Sequence, residues 1–277
     1  MVHYSLKTLL NWRLHSIVLF SAIISEFIGI QSIPIGNAKL LFLPLFYAFL
    51  VCLIFNPNIT HFSQKLINKK QASVAISVLA IGILPFIAKF GTLIGPALPK
   101  IMDSGVAMIM QEIGNLATML IAMPVAVLLF KMGREAIGAT YSIAREPNIA
   151  VISDRYGLKS KEGVGVMGVY VMGTMFGTIY FALISGLLAS TDWIDPRALA
   201  MACGVGSGSM TAACSGTLAA AYPDIKDEIL AFAGASNLLT NATGLYVAIF
   251  IGLPFSEWYY KRLSSSSYSV SNATNEV

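Results

Sequence analysis

Charged residues are scarce in this sequence. Asp, Glu, Lys and Arg make up 12% of the 277 residues, whereas soluble domains usually carry about 25%. Because so few charges cannot cover a globule of this size with polar surface, the composition favours a chain that is solvated by a lipid bilayer. A basic patch with interleaved aromatic residues is also lacking, which argues against nucleic acid as a partner.

Histidine is nearly absent, and this restricts the enzymes that the chain could be. The histidines are His3, His15 and His61, far upstream of the segment richest in Gly and Ser. A Ser–His pair or a histidine metal cluster therefore has no residues to form from in that segment. The run 204–209 also lacks the glycine spacing of a dinucleotide-binding loop and of a nucleophile elbow. We expect no enzymatic activity and no metal site.

Cysteine is rare as well. Cys52, Cys203 and Cys214 lie in apolar stretches, and no pair has the spacing of a metal site. We expect small packing residues and no disulfide framework. No cofactor is expected beyond a possible Na⁺ as coupling ion.

Long apolar runs are abundant, since hydrophobic residues make up 56% of the chain. A run of about 20 apolar residues can cross a bilayer. The first run lacks a clear signal-peptide cleavage site, so we expect it to be an uncleaved span. The sequence predicts an all-α integral membrane protein with about seven transmembrane helices and a disordered tail at 263–277. The spans are predicted at roughly 14–31, 38–56, 71–96, 102–131, 164–189, 195–221 and 226–260.

The distribution of Lys and Arg between the predicted loops indicates the orientation. Twelve lie on the side of the N-terminus and of the link 132–163, with Lys226 counted at the border, against five on the other side. The positive-inside rule then places the N-terminus in the cytoplasm and the C-terminus outside, in a bacterial inner membrane. The five are Lys39, Lys100, Arg197, Lys261 and Arg262.

An internal repeat is suggested by matches at an offset of 122 residues, among them Asn115 with Asn237 and Gly82 with Gly204. A unit of three spans ends on the opposite face of the membrane from its start, and the link does not cross the membrane. The sequence therefore predicts two inverted three-helix repeats, each with a broken helix, as in many secondary transporters. The predicted division is 1–34 (first span), 35–131 (first repeat), 132–163 (cytoplasmic link), 164–262 (second repeat) and 263–277 (tail).

The clearest predicted break lies within 198–221. Three glycines and two serines occur in six positions, and each glycine weakens a helix by roughly 1 kcal/mol relative to Ala. A broken helix exposes N–H groups that can bind an anion and carbonyls that can bind a cation. The alternative is close helix packing through small residues. The candidate binding residues are Gly204, Gly206, Ser207, Gly208 and Ser209.

The matching segment of the first unit is Gly82–Pro96, where Pro85 removes a helix hydrogen bond. Lys89 lies in this segment. An intramembrane Lys needs a partner, and it could be the counter-charge of a carboxylate substrate. The alternative is that Lys89 extends to a nearby membrane surface.

Two long predicted spans carry polar residues at helical spacing. Glu112 and Asn115 lie on one, and Asn237, Thr240 and Asn241 on the other. We expect both sets to surround one central cavity. Glu112 could pair with Lys89, bind Na⁺ or carry a proton; interhelical hydrogen bonding is the alternative.

Three stretches carry a resemblance to a known family: "GREAIGATYSIAREPN", "ACGVGSGSMTAACSGTLAAAYPD" and "AFAGASNLLTNATGLYVAIFIGLP". They resemble the bacterial membrane proteins of the domain-of-unknown-function family 3100, over most of 35–262. More distantly, the chain resembles the cation/proton antiporter and anion transporter superfamily, which includes bile-acid:sodium symporters, glutamate:sodium symporters and LrgB-type proteins. That resemblance implies two crossing broken helices, a site at Gly204–Ser209 and Asn237, and often a dimer. Gly173 and Gly177, in a Gly-x-x-x-Gly spacing, are expected to form a contact between helices, which could lie within a dimer.

The function predicted from these features is secondary active transport of a small organic anion, a carboxylate, coupled to Na⁺ or H⁺ by alternating access. The expected partners are the bilayer, the anion and a second copy in a homodimer. The alternative is an LrgB-like or holin-like export pore.

Overall fold

A computed structural model describes residues 10–35, 38–42, 44–75, 78, 84–141, 145–191 and 193–274. Regular structure in these residues is helical, apart from one antiparallel hairpin. The hairpin pairs β1 (Gln31–Ile35) with β2 (Ala38–Phe42), with Ile33 opposite Leu40.

The N-terminal part consists of two helices joined by this hairpin. Helix α1 (Trp12–Ile28) begins at Asn11, whose side chain accepts hydrogen bonds from the first turn, and ends at Gly29 with φ of 70°. Helix α2 (Pro44–Ile54) packs against α1. The second span, predicted at 38–56, therefore begins as a strand and has only 11 helical residues. A 3₁₀ turn (Phe62–Lys65) and the short helix α3 (Lys69–Ser73) follow.

Helix α4 (Leu84–Asp103) is continuous through the segment in which the first break was predicted. That prediction is wrong for residues 84–96, because the described helix continues through Pro96 and Pro99, where each proline removes a helix hydrogen bond without ending the helix. Gly82 lies outside the described residues.

The next helices form one long apolar rod and the link. The rod comprises α5 (Gly105–Asn115), α6 (Ala117–Pro124) and a π-helical turn (Val125–Leu129). The link contains α7 (Glu135–Thr140) and α8 (Arg145–Arg155). The chain then forms α9 (Lys161–Met172), a π turn (Gly173–Gly177) and α10 (Thr178–Ala189).

The C-terminal part contains a pair of short helices and one very long helix. The short helices are α11 (Pro196–Cys203) and α12 (Gly208–Ala221). The long helix consists of a 3₁₀ turn (Pro223–Ile225), α13 (Lys226–Val247), a π turn (Ala248–Gly252) and α14 (Leu253–Thr274). Because α14 continues to Thr274, the tail differs from the predicted disorder: extending an existing helix costs less than starting one.

Two clusters of ionic contacts define the two ends of the helical bundle. At the link end, Arg134 contacts Glu162 of α9 and Glu257 of α14, and the Tyr156 hydroxyl donates to Glu257. At the opposite end, called here the Glu228 end, Lys100 and Arg197 both contact Glu228 of α13. These contacts show which helix termini lie side by side.

The position of α14 corrects the predicted orientation. Since Glu257 binds Arg134 and Tyr156 of the link, Lys261 and Arg262 lie at the link end and not on the opposite side. Lys226, at the start of α13, lies at the Glu228 end. The C-terminal helix therefore ends on the same side as the link.

This correction arises because the sixth predicted span, 195–221, is a helical hairpin. Helix α11 starts at the Glu228 end, where Arg197 contacts Glu228, and α12 returns there, where the Tyr222 hydroxyl donates to the Ala189 carbonyl at 2.7 Å. With 8 and 14 residues, these helices are about 12 and 21 Å long. Neither length reaches the ~30 Å of a bilayer core.

A disulfide joins the two helices of this hairpin, contrary to the expected role of Cys203 and Cys214 as separate packing residues. In one continuous helix, their separation of 11 residues would place them about 16 Å apart. Their Cα atoms are 5.4 Å apart because the chain reverses between them. Cys52 is a free cysteine.

The two long helices run in parallel, which contradicts the predicted inverted repeat. Along α5–α6 and α13–α14 the hydrogen bonds advance together, from Gln111–Ser236 through Glu112–Thr240 to Met119–Ser256. Equivalent helices of inverted units would run in opposite directions. The prediction was wrong because it counted 195–221 as a crossing.

Large apolar side chains cover much of the surface and also form two cores. In the described residues, two helices are long and apolar enough to cross a membrane, 105–129 and 223–264. On the first, Val106 is 75% and Ile121 70% exposed. The core at the link end includes Met119, Met123, Ile137, Tyr141 and Ile152; the core at the Glu228 end includes Leu199, Ala200, Leu218, Ile229 and Phe232.

Candidate functional site

The break between α11 and α12 confirms that the chain leaves the helical conformation at the Gly-Ser run. Helix α11 is fixed at its start by Asp195, whose carboxylate accepts from the Arg197 N–H at 2.8 Å, and by Pro196 in the first turn. It ends at Cys203, and residues 204–207 form the turn. Ser207 then has an extended backbone, with ψ of 164°, and α12 begins at Gly208.

Gly204 allows this turn to approach α13 closely. A Cβ atom at Gly204 would lie 2.4 Å from the Ser236 hydroxyl and 2.6 Å from the Ala233 carbonyl oxygen. A larger residue would therefore push the turn away from α13.

The side-chain amide of Asn237 holds the turn from the facing helix. Its Nδ2 donates to the carbonyls of Gly204 and Gly206, both at 2.9 Å, and lies 3.2 Å from the Thr211 hydroxyl. Carbonyls that a broken helix leaves unpaired normally need such a donor, water or a cation. Asn237 is buried, so one uncharged side chain performs this role.

Ser236 connects the same turn to α5. Its hydroxyl donates to the Met201 carbonyl at 2.7 Å and accepts from Gln111 Nε2 at 2.6 Å. Gln111 Oε1 is buried and has no hydrogen-bond partner among the described residues. An acceptor of this kind can receive a hydrogen bond from a ligand or a water.

Glu112 follows Gln111 on α5 and contacts α13 one turn beyond Ser236. Its Oε1 accepts from the Thr240 hydroxyl at 2.5 Å and lies 3.4 Å from Asn115 Nδ2, while Oε2 accepts from the Thr243 hydroxyl at 2.8 Å. Asn115 and Thr240 are buried. The structure thus brings together the two polar sets that the sequence placed on separate helices.

Lys89 does not join this cluster. It is exposed on α4, and no ion pair between described residues includes Glu112. The predicted Lys89–Glu112 pair is therefore not formed, and Glu112 is stabilised by hydrogen bonds from neutral donors. A carboxylate without a nearby cation is costly in an apolar environment.

The remaining predicted residues lie at the edges of the site. The hydroxyls of Ser207 and Ser209 are 3.2 Å apart at the start of α12. Asn241 is exposed and donates to the backbone carbonyl of Asn237 at 2.8 Å. Gly208 is the first residue of α12.

Thr211 and Thr243 are part of the site, although neither was among the predicted binding residues. Thr211 lies in the first turn after the break, where a polar side chain faces back towards the preceding turn. Thr243 follows Thr240 by three residues, so it shares a helix face with it. Helical spacing from Thr240 and from the break could have identified both.

The arrangement provides groups that can bind an anion and groups that can bind a cation or a proton. The first N–H groups of α12 have no partner within the helix and can bind an anion. Glu112 and Gln111 Oε1 provide acceptors for a cation, a proton or a donor group of a ligand.

Comparison with known proteins identifies the family and nothing more specific. No curated protein and no solved structure matches the chain. The family model described as "Protein of unknown function (DUF3100)" matches residues 23–262. This match covers most of the sequence and includes every residue of the site described above, and the chain therefore belongs to the DUF3100 family.

Proposed function

We propose that the chain is a multi-pass protein of the bacterial inner membrane that carries a small organic anion by secondary active transport, coupled to Na⁺ or H⁺. The membrane location is supported by the two long apolar helices and by large apolar side chains on their outer surfaces. Soluble proteins rarely expose apolar patches of this extent.

The observation that carries the proposal is a broken helical hairpin whose turn is held at Asn237, about one turn of α13 from Thr240, which binds the ionisable side chain of Glu112. Between Glu228 and Asn237, α13 rises about 14 Å, about half of the ~30 Å bilayer core. The turn Gly204–Ser207 lies at the level of Asn237. Non-helical backbone at this depth is tolerated only against protein or a water-filled cavity, and an ionisable residue such as Glu112 indicates a function there.

The anion is inferred from the direction of α12. Its N-terminus points into the middle of the bundle, so its partial positive charge and free N–H groups lie where a carboxylate could be held. Ser207 and Ser209 add hydroxyl donors at the same end.

The orientation that we propose places the link end in the cytoplasm. With α14 at the link end, the basic residues there outnumber those at the Glu228 end, as the positive-inside rule requires. The link end has Lys131, Arg134, Arg145, Arg155, Lys159, Lys161, Lys261 and Arg262; the Glu228 end has Lys100, Arg197 and Lys226.

The proposal is tested by uptake of labelled carboxylates into proteoliposomes under imposed Na⁺ or pH gradients. We expect gradient-dependent uptake by the wild type and loss of uptake in Asn237→Ala, which removes the donor to the turn. Lys89→Ala is the matched control, because Lys89 is exposed and forms no ion pair with Glu112 among the described residues, and it should behave as the wild type.

A carrier and an export pore are distinguished by counterflow. A carrier exchanges external label for internal unlabelled solute and saturates, whereas a pore shows neither property. No gradient-dependent flux for any carboxylate, with wild type and Asn237→Ala alike, would refute the proposal.

A further inference from the structure

The hydroxyl of Thr243 lies between two acceptors. Its Oγ1 is 2.8 Å from Glu112 Oε2 and 2.9 Å from the Leu239 carbonyl oxygen, one turn earlier in the same helix. A threonine hydroxyl has one proton to donate, and a carbonyl oxygen can only accept. The single proton of Thr243 cannot satisfy both contacts with good geometry if Glu112 is ionised.

Both contacts are satisfied if Glu112 carries a proton on Oε2. The carboxyl then donates to Thr243, and Thr243 donates to the Leu239 carbonyl, a common bond of threonine in helices. When Glu112 is ionised, the Thr243 hydroxyl rotates and donates to the carboxylate. Thr240 donates to Oε1 in either state. With the same heavy-atom positions, the protonated state satisfies both contacts of Thr243, and the ionised state keeps the hydrogen bond to Glu112 and gives up the one to Leu239.

We propose that Glu112 binds the coupling proton of transport, and that the Thr243 hydroxyl reverses its direction when the proton is bound or released. The role in transport rests on the proposed function. The proton-binding site itself rests on the contacts of Glu112, Thr243 and Leu239.

Sodium fits these contacts less well than a proton. Hard metal cations bind several oxygen lone pairs at once, whereas both oxygens of Glu112 already receive hydroxyl protons from Thr240 and Thr243. Each oxygen keeps a second lone pair, but a Na⁺ ion needs several oxygen ligands around it at once. A proton needs one lone pair of Oε2 and the rotation of one hydroxyl.

Among the described residues, the other ionisable groups near α5 do not contact Glu112. Lys100 and Arg197 contact Glu228 at the end of the bundle, and Lys89 is exposed. The further ionisable side chains on the helices around α5 are Asp103 on α4, and Lys226, Asp227 and Tyr246 on α13. In the described part of the chain, none of them forms an ion pair or hydrogen bond with Glu112.

Glu112→Gln is the variant that tests the coupling. Its amide can accept from Thr240 and donate to Thr243, so it imitates the protonated state without a removable proton. In proteoliposomes, a pH gradient of one unit can support about tenfold accumulation by a carrier that moves one proton per solute. We expect Glu112→Gln to lose this accumulation, while its exchange of labelled for unlabelled solute becomes independent of pH. Accumulation by Glu112→Gln in response to the pH gradient would overturn the inference. So would wild-type accumulation that follows a Na⁺ gradient and ignores the pH gradient.

Infrared spectroscopy tests the proton site without any substrate. The C=O stretch of a protonated carboxyl is recorded through a pH titration of the purified protein, and the Glu112→Gln spectrum is subtracted. We expect a Glu112 band whose frequency shifts in Thr243→Val, which removes the acceptor, and does not shift in the matched variant Thr243→Ser, which keeps the hydroxyl. Absence of a Glu112 band, or an equal frequency in all three proteins, would overturn the inference.

The two measurements separate the two proposals. Absent flux together with a Glu112 band that responds to Thr243→Val would refute the transport proposal and leave the proton site in place. Gradient-driven flux without such a band would refute the proton site and leave a carrier with another coupling ion.

Discussion

Asn237 shows how one side chain can decide the conformation of a distant segment. Its amide supplies hydrogen bonds to two carbonyls of a turn that lies more than thirty positions earlier in the chain. Without it, those buried acceptors would need water or an ion. The turn and the helix that faces it are therefore one unit, and Asn237 is the residue that joins them.

Replacing Asn237 by Ala should lower the free energy of unfolding, because the buried carbonyl of Gly204 and the partly buried carbonyl of Gly206 lose their donor. Each buried group left unpaired costs about 1–3 kcal/mol. Thermal unfolding of the purified protein in detergent measures the effect. Asn241→Ala is the control, because Asn241 is exposed and, among the residues that the structure describes, its side chain bonds to the backbone of Asn237. Equal melting temperatures for the two variants would show that Asn237 does not hold the turn.

At the scale of the elements, the link is packed tightly against α9 through two glycines. A Cβ atom on Gly138 of α7 would lie 1.9 Å from the Glu162 carbonyl oxygen, and one on Gly165 of α9 would lie 2.0 Å from that of Glu135. The two helices touch backbone to backbone. The link is therefore an integral part of the fold, although its sequence predicted only a cytoplasmic connector.

Gly165→Ala should destabilise the protein, because the new methyl group forces α7 and α9 apart. Overpacking of this kind costs about 1–3 kcal/mol or more. Gly168→Ala is the matched control on the same helix: a Cβ there meets nothing within 4 Å, and Ala in place of Gly favours a helix by up to about 1 kcal/mol. Chemical or thermal unfolding of both variants compares them. Similar stabilities would contradict the close approach.

Gly177 forms a contact between helices, as its Gly-x-x-x-Gly spacing predicted. A Cβ atom there would lie 2.1 Å from Cε of Met210 in α12. This contact joins two helices of the same chain.

The ionic cluster at the link end should make the free energy of unfolding fall at alkaline pH. Burial and the hydrogen bond to Glu257 raise the pKa of Tyr156 from 10.0 to about 12. An unfolded chain loses this proton near pH 10, while the folded protein keeps it until about pH 12, so the protonated form favours folding. The stabilisation is complete below pH 10 and is lost as the pH rises from 10 to 12.

Tyr156→Phe should therefore reduce the loss of melting temperature over this range, although it lowers stability at neutral pH by removing a hydrogen bond. Burial also raises the pKa of Tyr141, so part of the pH dependence should remain. Tyr180→Phe is the control at an exposed tyrosine. If Tyr156→Phe lost as much melting temperature between pH 10 and 12 as the wild type, the pH dependence would not come from Tyr156.

For the whole molecule, the hairpin of α11 and α12 decides on which side the chain ends. Since α11 begins and α12 ends at the Glu228 end, α13–α14 runs from there towards the link. The link and the C-terminal helix then lie at the same end of the bundle.

Labelling of single cysteines in intact cells and inverted vesicles tests this arrangement in a Cys52→Ser background. Lys159→Cys and Lys261→Cys should react from the same side, and Asp224→Cys from the opposite side, because these three positions are exposed at the two ends. Reaction of Lys159→Cys together with Asp224→Cys, with Lys261→Cys reacting from the opposite side, would restore the orientation predicted from seven spans.

The sequence by itself determined the helical, apolar character of the chain, its family and the position of the break. It also identified Glu112, Asn115, Asn237 and Thr240 as residues of the candidate site. These properties are local. A composition poor in charge favours solvation by lipid, glycines weaken a helix at their own positions, and helical spacing places polar residues on one face. Only the tertiary structure decided that the chain turns back at Gly204–Ser207, that Cys203 meets Cys214, that the long helices run parallel and that Lys89 stays apart. The direction in which a chain leaves a break depends on which helix binds it, and here that partner is α13, whose Asn237 is supplied from a remote part of the sequence.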